Sequence, residues 1–296
     1  MKLKILVLLL VLISLSGCTE QIQLGKPEIR DVSFTFGEVS NSFTEIKTII
    51  EVYNPNPVPI PLKDILTEIY MNGIKMGEGS AETAEIKANG ISKIIISTKI
   101  DNNKIPEWWI SHLRNGEFTE LLIKADLVFD LKLFEFKVPI EKREDVETHI
   151  LSKLSLSSPQ TINFGFLKLT LESVEPRWGK ITNETSEIIL NIRVKNENPI
   201  DIPLSKLECY MTMNNLRIAE GRSNEPVIMT SNSETDLDLS IFINNTLLDD
   251  WWASHIKGGE KTEIEMTLKL FFEYGGKEYE FSVKGLETEF TTRFLG

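Results

Sequence analysis

Hydrophobic and polar residues alternate along most of this chain. Ile46, Thr48, Ile50 and Val52 fall on one side of a strand, with Glu45, Lys47 and Glu51 on the other. The same period carries Ile94, Ile96, Thr98 and Ile100, then Leu121, Ile123, Ala125, Leu127 and Phe129, and finally Phe134, Phe136 and Val138. Successive side chains of a strand point to opposite faces, so a period of two predicts strands with one buried face. Asn72-Gly73 and Asn214-Asn215 suit two-residue hairpins that need positive φ, and Gly275-Gly276 closes a further one.

One stretch breaks the alternation. Asp101 to Gly116 reads as a short helix: Asp or Asn supplies the N-cap, Pro106 falls in the first turn and Gly116 ends it. Trp108 and His112 lie four apart on one face of that helix, as do Trp109 and Leu113. Asn244 to Gly259 repeats the design, with Asp249 and Asp250 in the first turn, where the helix dipole favours acids.

The chain is therefore written twice. Asn54-Pro55-Asn56-Pro57 returns as Asn196-Glu197-Asn198-Pro199, and Trp108-Trp109-Ile110-Ser111-His112 as Trp251-Trp252-Ala253-Ser254-His255. The strands follow: Ile188, Leu190, Ile192, Val194; Leu237, Leu239, Ile241, Ile243; Ile264, Met266, Leu268, Leu270, Phe272; Tyr279, Phe281, Val283. A period this long matches an independent domain with its own core, not a solenoid repeat. About seven short strands per copy predict a mainly β protein of two tandem immunoglobulin/fibronectin-III-like β-sandwich domains, each with one short inserted helix. The antibody disulfide is absent. The expected domains are 28–140 and 161–296. They are joined by a linker at 141–160, which holds the charge cluster Glu141 to Asp145, the small polar run Ser155 to Pro159, and a short helix around Leu151 and Leu154.

Residues 1–17 read as a leader. Lys2 and Lys4 precede an apolar run from Ile5 to Ile13, and Leu15-Ser16-Gly17 stands before Cys18. The run is too short for a stable membrane span and has the layout of a secretory signal. Its end resembles a lipobox. By that resemblance Cys18 becomes the mature N-terminus and carries a diacylglyceryl group, with 18–27 as a tether to the cell membrane and the body on the extracytoplasmic face. With Cys18 lipidated, Cys209 has no partner for a disulfide. Its alternation with Leu207 and Met211 places it on an apolar strand face.

The formal charge is −12, with 44 acidic against 32 basic residues. An acidic body excludes the basic footprint that nucleic acid needs. It also disfavours electrostatic adhesion to anionic lipid.

An Asn-Pro-Asn near the start of a strand-rich domain, here Asn54-Pro55-Asn56, resembles the WHy (water stress and hypersensitive response) domain of LEA14-like, late embryogenesis abundant group 2 proteins. The resemblance covers about 28–140 and 168–290, and the second copy departs from it with Asn196-Glu197-Asn198. It implies stable β domains linked to desiccation and other stress, and it brings no catalytic residues.

Candidate chemistry is sparse. The paired Trp108, His112, Trp251 and His255 are the candidate binding surface, since Trp faces stack on flat ligands. The competing reading makes them core, with each His bonded to a neighbour. Asn54 and Asn56 read as turn-fixing residues, because Asn bonds nearby backbone while Pro fixes φ. No metal-ligand spacing, phosphate loop or nucleophile elbow appears, so no catalytic residue, metal or cofactor is expected. The expectation is a non-catalytic, lipid-anchored envelope protein with a protective or structural role. The alternative is a tethered binding module that grips a protein or small-molecule partner between its domains.

Overall fold

The structure is a computed structural model and describes residues 25–295 apart from 82–84, 131–134, 166 and 224. The leader, Cys18 and Phe134 lie outside the described residues. The first copy contains β1 (Glu28–Val39), β2 (Phe43–Asn54), β3 (Ile60–Met71), β4 (Ile74–Ser80), β5 (Glu85–Ile86), β6 (Gly90–Asp101), helix α1 (Ile105–Arg114), β7 (Phe118–Asp130) and β8 (Glu135–Glu147). After helix α2 (Ile150–Leu154) and strand β9 (Gln160–Phe164), the second copy runs β10 (Leu167–Ile181), β11 (Thr185–Asn196), β12 (Ile202–Met213), β13 (Leu216–Ser223), β14 (Val227–Met229), β15 (Glu234–Asn244), helix α3 (Leu248–Lys257), β16 (Lys261–Tyr274) and β17 (Lys277–Thr291). Among the described residues no helix is long and apolar enough to cross a membrane.

The two β-sandwiches share one topology. Strand order β1-β2-β6-β4-β3-β7-β8 in the first is matched by β10-β11-β15-β13-β12-β16-β17 in the second, which adds β9 at its edge. Among the described residues every pairing is antiparallel. The strands run longer than the alternating segments suggest, because they continue through register shifts such as those at Ile29/Asp31 and Phe36/Val39 of β1. β4 lies between β3 and β6, pairing with β3 from Ile74 to Ser80 and with β6 at Gly77 to Ser80. A Cβ at Gly77 would sit 2.1 Å from the Lys99 carbonyl oxygen, so glycine permits the close approach of β4 to β6. Gly221 does the same in the second copy, 2.0 Å from the Ser240 oxygen.

Local chemistry places the expected turns and helices. Asn72 (φ 49°) with Gly73 (φ 77°), and Asn214 (φ 50°) with Asn215 (φ 64°), form hairpins with two positive φ values. Asp101 and Asn244 each cap a single 3-10 turn, which leads into the α-helix. Gly116 (φ 76°) and Gly259 (φ 75°) end the segments.

Two features depart from the reading of separate domains. The charged run Glu141 to Asp145 is part of β8, not connecting chain, and only Thr148 to the start of β9 joins the copies. The hydrophobic core also does not divide at that junction. One cluster joins Ile46, Met71, Trp108, Trp109 and Leu121 of the first copy to the whole core of the second. A smaller cluster, including Ile50, Leu62, Leu127 and Phe129, fills the far end of the first domain. Buried Thr48, Thr67 and Thr98 stand between the two clusters, where the second copy has Leu190, Cys209 and Ile241 and its core stays continuous.

Candidate functional site

The two Trp-Trp helices meet. Trp108 packs on Trp252 and Trp109 on Trp251, each pair at 5.3 Å between ring centroids and nearly edge to face. Phe294 closes the quartet against Trp108 at 5.7 Å and Trp252 at 5.1 Å. All four indoles are at most 1% exposed, and His112 and His255 are 0% exposed. None of Trp108, His112, Trp251 and His255 can therefore offer a surface to a ligand, and the candidate binding surface is corrected to an internal junction. Each helix is apolar on both flanks of its Trp pair, so it can lie between its own sandwich and its partner helix.

Each histidine sits in one polar relay, built twice. Trp108 Nε1 donates to Thr119 Oγ1 at 2.9 Å, and the same hydroxyl meets His112 Nδ1 at 2.8 Å. His112 Nε2 meets Thr148 Oγ1 at 2.9 Å, and Thr148 donates to Glu117 Oε2 at 3.1 Å. Because Thr148 gives its hydroxyl proton to Glu117, it accepts from His112 Nε2–H, and Thr119 then donates to Nδ1. The network assigns the neutral Nε2–H tautomer. The second copy repeats the relay through Trp251, Thr262, His255, Thr292 and Glu260. Burial pushes both imidazoles down to about 4, so they are neutral at physiological pH. Burial also raises the Glu260 carboxyl above its usual range.

The two glutamates tie chain ends to the junction. Glu117 accepts from the Ile150 and Leu151 amides that open α2, and from Trp178 Nε1 of β10 at 2.9 Å. Glu260 accepts from the Phe294 amide at 2.6 Å. The motif serine belongs to the same framework. Ser111 donates to the Trp108 carbonyl at 2.6 Å and accepts from Asn72 of the hairpin at 3.2 Å, and Ser254 and Asn214 do likewise. Sequence reasoning found the histidines but missed Glu117, Thr119 and Thr148. The available signal was Gly116-Glu117-x-Thr119 returning as Gly259-Glu260-x-Thr262.

The Asn-x-Asn loops lie at the ends of β2 and β11, far from these helices along the strands. Asn54 Nδ2 donates to the Val58 and Ile86 carbonyls, while its Oδ1 accepts from the Asn56 amide at 2.9 Å. Asn56 then bonds both backbone groups of Gly25, as a strand neighbour would. Asn196 and Asn198 make the corresponding bonds to Ile200, Met229 and Lys168. The middle residue takes no side-chain part in that lock. Glu197 is accommodated, and its amide adds a 3.1 Å bond to the Lys168 carbonyl that Pro55 cannot make.

Cys209 is buried and free, and burial pushes its thiol up to about 12, which makes it a core hydrophobe. No group of three or more potential metal ligands occurs among the described residues. An open groove of about 1040 Å³ runs beside α1, lined among others by Asn72, Asn103, Glu107, Arg114 and, from the second domain, Asn183.

The chain is 27% identical over 144 residues to an uncharacterised protein of Methanocaldococcus jannaschii, which spans 48% of this chain and 79% of that protein. A crystal structure of a protein from Archaeoglobus fulgidus is 37% identical and covers 42% of this chain and 98% of that one, with a TM-score of 0.37. The solution structure of an Arabidopsis thaliana protein is 18% identical and covers 45% and 88%, with a TM-score of 0.33. The model of the late embryogenesis abundant protein family LEA_2 matches residues 50–144 and again 191–285, one match within each sandwich. The chain belongs to the LEA_2 late embryogenesis abundant family, and carries that domain twice.

Proposed function

We propose that this chain is a non-catalytic, LEA14-like water-stress protein held at the extracytoplasmic face of the cell membrane through a lipid on Cys18. The observation that carries the reading is the doubled family domain, whose repeated polar side chains all serve the framework. Asn54, Asn56, Asn72, Ser111, His112 and Glu117, and their counterparts, are bonded inside the protein. Its two sandwiches are joined through one core cluster and carry an acidic surface. Such a body keeps its shape as water is withdrawn and separates neighbouring molecules from contact. Drying a labile enzyme with the protein tests this: protection greater than that given by an equal mass of albumin is expected, and equal protection sinks the idea. The mass of the N-terminal peptide tests the anchor, which requires the diacylglyceryl increment on Cys18.

A second reading, a tethered binding module, is favoured by the groove beside α1, which both domains line. A stoichiometric partner recovered from detergent-solubilised membranes, and lost with Arg114→Glu, would support it over general protection.

A further inference from the structure

The duplication supplies an internal control for one surface. On the outer face of the first domain, paired strands β2 and β6 place Ile49 opposite Ile95, Glu51 opposite Lys93, and Tyr53 opposite Ile91. Ile91 is 56% exposed and Ile95 57%. At the same register in the second domain, β11 and β15 place Asn191 opposite Asp238, Arg193 opposite Asp236, and Lys195 opposite Glu234. There the outer pairs are polar and linked, Asn191 to Asp238 at 3.1 Å and Arg193 to Asp236 at 2.8 Å. The fold therefore does not require an apolar outer face at this place. One copy has it and the other has charge.

The apolar copy is the one next to the N-terminal segment. Gly25 is bonded through both backbone groups to Asn56, and Glu28 pairs with Tyr53. Gly25 thus lies at the same end of the domain as Tyr53 and Ile91. Only six residues lie between Cys18 and Gly25, and the seven steps reach at most about 25 Å at ~3.5 Å per residue. The patch also has the composition of a bilayer interface. Isoleucines are combined with a tyrosine, the Arg30 guanidinium lies 5.0 Å from the Tyr53 ring centre and 2.7 Å from Glu28, and Lys93, opposite Glu51, stands between Ile91 and Ile95 on the outer face. Exposed isoleucines with snorkelling cations insert apolar surface while keeping charge at the headgroups.

We infer that the outer face of β2 and β6, centred on Ile91, Ile95 and Tyr53, rests on the lipid bilayer to which the N-terminal segment leads. The inference rests on the membrane-anchored reading above and gives the anchored protein a fixed face. The second domain, with Asp236 and Asp238 at the matching place, faces water.

The test uses the full chain, purified in detergent and reconstituted into phosphatidylcholine vesicles, with p-benzoylphenylalanine at position 95 or, as the control, at 238. Irradiation followed by mass spectrometry reads what each side chain touches, and an unchanged thermal midpoint shows that both variants fold. The expected result is a phospholipid adduct at 95 and none at 238 in chains that float with the vesicles. Floating chains with no adduct at 95, or equal adducts at both positions, overturn the docking face and leave the anchor standing. A protein–protein adduct at 95 overturns it in favour of a second copy of the chain. Chains that do not float overturn the anchor and the docking face together.

Discussion

Trp252 Nε1 donates to Thr44 Oγ1 at 3.0 Å across the junction of the two domains. The symmetry-related Trp109 Nε1 is buried and has no partner. The two indoles occupy equivalent places, yet one N–H is satisfied and the other is not.

Removing each indole N–H separates that bond from packing. Trp252→Phe and Trp109→Phe lose similar volume, but only the first removes a hydrogen bond, leaving Thr44 Oγ1 with its bond to Asn102 Oδ1. Trp252→Phe is expected to cost about 1–2 kcal/mol more than Trp109→Phe in urea unfolding. Equal costs would mean that the Thr44 bond contributes nothing.

Acid should loosen the junction. Both histidines have pKa values of about 4 in the fold, against about 6.5 unfolded. Between these values the unfolded chain binds more protons, so stability falls as pH drops from about 6.5 to about 4 and levels off below. The loss is on the order of 3 kcal/mol per histidine. Glu260 acts in the opposite sense at the acid end, since burial raises its pKa. A thermal midpoint that stays flat from pH 7 to 4 would contradict this. His112→Gln with His255→Gln should flatten the slope.

In the loops, the two asparagines carry the structure and the residue between them does not. Asn54→Ala removes the amide that holds the Val58 and Ile86 carbonyls and is expected to cost roughly 1–3 kcal/mol. Pro55→Glu copies the second domain and should change stability by less than about 1 kcal/mol. Denaturant midpoints of the two variants check the ranking.

Glu117 gathers donors from α1's own domain, the connecting helix and the second domain. Glu117→Gln keeps the shape but offers one acceptor oxygen where two are needed, and it should destabilise by about 1–3 kcal/mol. Trp178→Phe, which removes one donor only, should cost less. The reverse order in calorimetry would move the weight of the contact to Trp178.

The sequence made the framework legible because its signals are local. Alternation placed the strands, Asn72 and Asn214 the hairpins, and Pro106 and Gly116 the helix. The resemblance drawn from Asn54 to Asn56 led to the right family. Junction chemistry was harder to read, because its partners come from distant parts of the chain. Nothing near Trp108 says that Trp252 will meet it, or that Glu117 will accept from Trp178. The paired tryptophans were open to two readings, binding surface or core. A helix between two sandwiches has no outward side there, so both are buried. The charges of Glu141 to Asp145 looked like a linker because an edge strand can carry polar residues on its open face.

The crossed pairing of Trp108 with Trp252 and Trp109 with Trp251 is self-complementary, as in the interface of a two-fold homodimer. Two separate chains in such a dimer must be identical everywhere, so any change made for one partner is imposed on the other. Joining the halves in one polypeptide keeps the contact and lifts that obligation. Thr44 faces Trp252 while Trp109 goes without, and Ile95 stands where the other half has Asp238. The Trp quartet preserves the symmetry of the pair, and fusion lets its two members take different duties.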